Sequence, residues 1–155
     1  MELERAQKMA TEIIVRLSPY CSRIELAGSI RRRKPFVNDI DLVLIPNDLW
    51  NLHAELRKLG QVKMAGKKIM RVMIGNTQVD IYIAEEATWA TLLLIRTGSA
   101  ENNIRLATLA KKKGWRLAAS GDGLFNENGE RIAGDTEESI YAALGLRYQE
   151  PWERG

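Results

Sequence analysis

Asp39 and Asp41 stand two residues apart at the start of the apolar run Leu42-Val43-Leu44-Ile45. On an extended chain that spacing sends both carboxylates from one face, while Ile40, Leu42 and Leu44 leave the other. Two carboxylates on one face repel unless a cation sits between them, and a divalent metal is the natural cation. Just upstream, Gly28-Ser29 turns the chain and Arg31-Arg32-Arg33-Lys34 sets four cations in a row. A Gly-Ser turn after a strand can offer backbone N–H groups to an anion, although most such dipeptides are plain turns. A third acid, Asp80, interrupts the run Gln78-Val79-Asp80-Ile81-Tyr82-Ile83. An acid inside such a strand is costly unless paired or metal-bound. If the two strands lie side by side, Asp39, Asp41 and Asp80 form a cluster able to hold two divalent ions about 3.5–4 Å apart. The grouping points to metal-assisted chemistry on phosphates.

The surrounding pattern predicts the elements that carry these residues. Leu3, Ala6, Ala10, Ile13, Ile14 and Leu17 recur at helical spacing up to Ser18-Pro19. A short strand over 23–27 leads into the Gly-Ser turn, and a second strand runs from Asp39 to Ile45. Pro46-Asn47-Asp48 is then turn and cap for a helix over 49–59, which Gly60 ends. Strands are predicted over 61–64, 67–74 and 77–83, the last two joined by the hairpin dipeptide Gly75-Asn76. Helices over 85–95 and 100–113 flank the break at Thr97-Gly98-Ser99. Beyond Gly114 come short strands at 115–118, 123–126 and 131–133, then a helix to Leu144 capped by Asp135-Thr136-Glu137-Glu138, then a tail whose aromatics dock. The fold class is α/β (α+β): a mixed sheet flanked by helices to about residue 96, followed by a small α+β appendage.

Composition narrows the function classes. With 155 residues the chain can bury a proper core. A net charge of +3 favours an anionic partner without requiring one. The single cysteine, Cys21, excludes an internal disulfide and a zinc-type cluster, which fits a reducing cytoplasmic or nucleoid-associated setting. Cys21 reads as a small core residue, His53 as an inert surface histidine, and Trp89 and Trp115 as packing residues. The charged N-terminus reads as neither signal peptide nor membrane span.

Gly28-Ser29, Arg31-Arg32, Asp39-Ile40-Asp41 and Val79-Asp80 together resemble a nucleotidyltransferase active site. Thr97-Gly98-Ser99-Ala100-Glu101-Asn102-Asn103-Ile104-Arg105 narrows the resemblance to the family X DNA polymerases. Lys111-Lys112-Lys113-Gly114, Gly123-Leu124-Phe125, Thr136-Glu137-Glu138-Ser139-Ile140-Tyr141 and Leu144-Gly145-Leu146 extend it over about residues 5–152. The resemblance implies a nucleotidyltransferase palm over 1–96 and a thumb over 97–155. It implies that Asp39 and Asp41 bind two Mg²⁺ ions, with Mn²⁺ as an alternative, and that Asp80 binds the catalytic one and helps activate a primer 3′-hydroxyl. Gly28, Ser29 and Arg32, with Arg31 alongside, match triphosphate contacts. Gly98-Ser99 matches a bend beneath the incoming sugar that is often a cis peptide, and Asn103 and Arg105 match positions reaching the minor groove and template.

The resemblance also implies the partners: primer-template or gapped DNA and deoxynucleoside triphosphates, with the chain a monomer. Lys111 and Lys112 complement the negative end of a helix and suit DNA phosphates equally well. Lys67, Lys68 and Arg71 are spaced to track a duplex. Three departures stand out. Ile95-Arg96 replaces an aromatic pair that packs on the sugar, which puts Arg96 among the nucleotide-binding candidates. Asn38 stands where glycine is common, and no lyase domain, fingers or phosphoesterase is expected beside the palm and thumb. The expected function is DNA polymerisation in gap filling or repair. The alternatives are a template-independent or non-DNA nucleotidyltransferase and a non-catalytic DNA-binding module.

Overall fold

The computed structural model describes residues 1–155 and is an α+β protein built on a five-stranded mixed sheet. Helix α1 (Leu3–Leu17) buries Ala6, Ala10, Ile13 and Leu17, one helical stripe, and a 3₁₀ turn at Ser18–Tyr20 leads to β1 (Cys21–Leu26). The expected Gly28-Ser29 turn is instead the start of a four-residue helix, α2 (Gly28–Arg31). Then follow β2 (Ile40–Pro46), α3 (Leu49–Leu59), β3 (Gln61–Ala65), β4 (Ile69–Ile74) and β5 (Thr77–Ile83). Asp48 caps α3, its carboxylate accepting from Asn51 N at 3.1 Å. Gly60 ends α3 where a Cβ would lie 2.2 Å from the Met73 carbonyl, so only glycine fits.

The strand order is β1-β2-β5-β4-β3, with β2 and β5 parallel and the other pairs antiparallel. The alternation read from the sequence holds. Ile40, Leu42 and Leu44 pack with α1 and α3, while Val43 joins Ala27, Trp89, Leu92 and Leu93 on the opposite face. Asp41 shares Val43's face, and the parallel register sets it directly beside Asp80. Asp39 lies just before β2 rather than within it.

The helix predicted from Glu85 begins later, as α4 (Trp89–Thr97), because the Thr88 hydroxyl accepts from Glu85 N at 3.0 Å and closes residues 85–88 into a turn. It also runs two residues further than predicted, so Arg96 joins Ile95 in the last helical turn. Helix α5 (Ala100–Lys112) follows the cis peptide Gly98-Ser99, and its first turn is capped by the Ser99 hydroxyl. Three short strands, β6 (Arg116–Leu117), β7 (Leu124–Phe125) and β8 (Arg131–Ala133), pair in sequence order. Helix α6 (Glu137–Ala143) starts with a capping box of Thr136 and Ser139. Leu94, Leu106, Leu124, Ile140 and Tyr141 form this half's own core, against which Tyr148 packs edge-on at 5.4 Å. Cys21 is half-buried against the first core, and burial pushes its thiol up to about 11. No helix is long and apolar enough to cross a membrane.

Candidate active site

A cavity of about 500 Å³ opens where β2, α2 and the α4–α5 junction meet. Of the candidates, Gly28, Ser29, Arg32, Asp39, Asp41, Arg96, Gly98 and Asn103 all line it, although they come from two distant stretches of sequence. Its floor explains Gly28. With φ at +59° and a hypothetical Cβ 2.2 Å from Asp41 Oδ2, the position holds only glycine, and α2 begins in direct contact with the carboxylate.

Asp41 carries the electrostatic signature of the site. Burial, then the charges of Asp80 and Asp39, push its carboxyl up to about 6, with Arg96 and Arg32 offsetting part of this. The site is thus short of positive charge, and its hard carboxylate oxygens suit Mg²⁺. Arg32 donates to the Thr97 carbonyl at 2.7 Å and to the Gly155 carbonyl at 3.2 Å, and burial lowers its pKa below the ordinary value, an effect Asp41 partly offsets. The Arg96 guanidinium lies over the Tyr82 ring at 4.2 Å. The Asn103 amide donates to the Ile95 carbonyl at 2.8 Å, leaving its Oδ1 buried without a partner at the cavity wall.

Four candidates are placed differently from expectation. Asp80 stands beside Asp41 in register, but its carboxylate accepts from Arg71 Nε at 2.7 Å and from Gln78 at 3.1 Å, and no three acids converge on one point. The reason is local: Arg71 is its cross-strand partner and supplies a cation within the sheet. Counting back from the Gly75-Asn76 turn gives this pairing. Arg71 therefore holds an acid within the sheet. Arg31 is not on the cavity wall. It points to the other half of the molecule, forked onto Glu137 at 2.7 and 2.9 Å and donating to Thr97 Oγ1 at 2.8 Å. Ser99 turns its hydroxyl to the Arg154 carbonyl at 2.6 Å, away from the cavity.

The DNA polymerase beta thumb model matches residues 92–155. The chain is 30% identical over 149 residues to the DNA polymerase/3'-5' exonuclease PolX of Bacillus subtilis, covering 91% of this chain and 26% of that protein. It is 37% identical over 88 residues to DNA polymerase lambda of Rattus norvegicus, covering 51% of this chain and 15% of that protein. The chain thus spans about a quarter or less of those two relatives. It is also 31% identical over 140 residues to the Repair DNA polymerase X of African swine fever virus (isolate Tick/South Africa/Pretoriuskop Pr4/1996), covering 82% of this chain and 78% of that protein. The chain belongs to the family X DNA polymerases.

In this family X chain the remaining candidates lie on α5. Arg105 bonds Asn102 Oδ1 at 3.0 Å and also the Gln149 side chain, so it is tied to the tail. Lys111 and Lys112 are exposed in the last turn. Residues outside the candidate set complete the arrangement. Glu137 reads as a helix-start carboxylate, yet it is buried and shared by Arg31 and Arg154, 106 and 17 positions away. Burial would push its carboxyl up, but hydrogen bonds and charge from Arg31 and Arg154 outweigh this and hold it below its usual 4.5. Tyr82, half-buried under Arg96, reads as a plain strand residue.

Proposed function

We propose that this chain adds deoxynucleotides to a primer 3′-hydroxyl at short gaps in DNA, with a palm up to about residue 96 and a thumb from there on. The observation that carries the reading is Asp39 and Asp41 in a cavity walled by Gly28 and Arg32 on one side and Gly98 and Asn103 on the other, with Asp80 in register beside Asp41. Asp39 and Asp41 would hold both Mg²⁺ ions and Asp80 the catalytic one. When bound, the ions neutralise charge on the entering and leaving oxygens.

The chain's own residues do the rest by positioning. Gly28 and Ser29, at the start of α2, and Arg32 hold the triphosphate, with Arg32 aimed by the Thr97 and Gly155 carbonyls. Asn103, held by the Ile95 carbonyl, forms the wall beside Gly98. Asp80 accepts the proton of the primer hydroxyl as the new O–P bond forms at the α-phosphorus. The bond to the bridging oxygen then breaks and pyrophosphate departs. Arg71, across the strand pair, orients Asp80.

The test is primer extension by the whole chain on an open template, on a one-nucleotide gap with a 5′-phosphate, and with no template. Incorporation that obeys the template and is fastest at the gap supports the reading. Incorporation indifferent to template makes the chain a template-free nucleotidyltransferase, and none on any substrate removes the enzymatic reading.

A further inference from the structure

The segment between α2 and β2 has a feature that the nucleotide chemistry does not use. Residues 35–37 are pinned by the chain's first residues, with Phe36 bridged to Glu2 in antiparallel fashion. Leu3 N donates to the Pro35 carbonyl at 3.0 Å, Val37 N to Met1 O at 2.8 Å, and Met1 N to Val37 O at 3.1 Å. Side chains alternate along such a segment. Val37 is 1% exposed in the core, whereas Lys34, Phe36 and Asn38 all face the cavity mouth. Phe36 is 71% exposed although its backbone is held on both sides.

Lys34 is half-buried and makes neither an ion pair nor a side-chain hydrogen bond, even with Asp39 and Asp41 on the same cavity wall. The other nearby cations are engaged. Arg32 bonds two carbonyls, Arg96 lies over Tyr82, and Arg33 lies over Trp152 at 3.7 Å. Arg33 is also the one non-glycine residue in the left-handed region, at φ 58°, and that turn is what delivers Lys34 and Phe36 to the rim.

We propose that Lys34, Phe36 and Asn38 form a docking point for one unit of single-stranded nucleic acid, with its phosphate on Lys34 and its base stacked on Phe36. An unpaired ammonium at the rim of the cavity suits a phosphate. Cation and ring two residues apart on one face are separated by about 7 Å, the scale of one nucleotide. A base within a duplex has both faces covered by its neighbours, so the ring can reach only an unpaired or terminal one. Stacking of this kind tolerates any base, and Asn38 adds an amide for a base edge. The proposal rests on the nucleic-acid reading of the adjoining cavity, but it concerns binding alone.

The test is anisotropy of a labelled oligothymidylate at low salt with chelator present, so that no turnover enters. Phe36→Ala should weaken binding about 5- to 150-fold. Phe36→Trp should retain it, and Lys34→Gln should lower the log–log salt slope by about 0.7. Binding of a covalently closed duplex circle, which has no terminal base, should change less than twofold. Asp80→Asn should bind the oligonucleotide like the parent even where incorporation is lost, which keeps this proposal separate from the catalytic one. Three results would overturn it: no measurable oligonucleotide binding by the parent, unchanged binding by Phe36→Ala, or equal loss on duplex and oligonucleotide. A fourth is an equal loss of deoxynucleoside triphosphate affinity in equilibrium dialysis with Mg²⁺, which would assign the ring to the nucleotide pocket.

Discussion

In Glu137→Gln, the carboxylate that two arginines share becomes a neutral amide of the same shape. The amide keeps one acceptor oxygen for the bonds now made to Oε1, from Arg31 at 2.7 Å and Arg154 at 3.4 Å, but Arg31 loses its second bond at 2.9 Å to an NH2 group, and both arginines lose the facing charge. Arg154's side chain is 0% exposed, so it has no water to turn to, and its other partners, the Tyr148 hydroxyl at 3.0 Å and the Gln149 carbonyl, carry no counter-charge. Removing one member of a buried ion pair costs about 3–5 kcal/mol, mostly from the charge left behind. For a chain of this length that lowers Tm by roughly 10 °C. Urea unfolding at pH 7 measures it. The loss should persist in high salt, because a buried pair is poorly screened. The pH dependence carries a second signature. Glu137 titrates below 4.5 when folded, so its stabilisation is present above that pH and lost as pH falls through the folded value. The parent should therefore lose an increment of stability below pH 4.5 that Glu137→Gln lacks. A variant within about 1 kcal/mol of the parent, with an unchanged acid profile, would refute the idea that this network ties the two halves together.

Other expected outcomes concern the cavity. Asp41, pushed from 3.8 to about 6, destabilises the metal-free fold as pH rises through that window. At ~1.36 kcal/mol per unit, Asp41→Asn should therefore be more stable by up to about 3 kcal/mol at pH 7 in chelator. Its Tm should also fail to rise with Mg²⁺, as calorimetry can check. Gly28→Ala should lose about 1–3 kcal/mol in urea unfolding from its left-handed φ and the Asp41 contact, with a larger loss of incorporation. DNA affinity should be weak and fall steeply with salt, and Lys111→Gln with Lys112→Gln should reduce the slope by up to about 0.9 per lost phosphate contact. Affinity nearly independent of salt would contradict a phosphate-gripping role.

What the sequence makes legible here is what depends on short periods. Alternation along Asp39 to Ile45 sends Ile40, Leu42 and Leu44 to one core and Asp41 to the other face, and the Thr97-Gly98-Ser99 motif marks the α4–α5 break. Four residues are too few for a helical period, so α2 reads as a turn. The cavity could be anticipated only through a family resemblance, since its walls come from residues 28–41 and 95–103. Least legible are partnerships between distant charges. A row of arginines looks uniform, yet Arg31 joins Glu137, Arg32 meets Thr97 and Gly155, and Arg33 covers Trp152. Each goes to a partner more than 60 residues away, and no local pattern records that choice.

The most direct measurement is single-nucleotide insertion at a one-nucleotide gap with Mg²⁺, comparing the parent with Asp41→Asn and Asp80→Asn under conditions where all three are folded by calorimetry. If these two acids hold the ions and the reacting hydroxyl, both variants should lose at least about 1000-fold in rate. Insertion within tenfold of the parent by either variant would contradict the assignment of the chemistry to this floor.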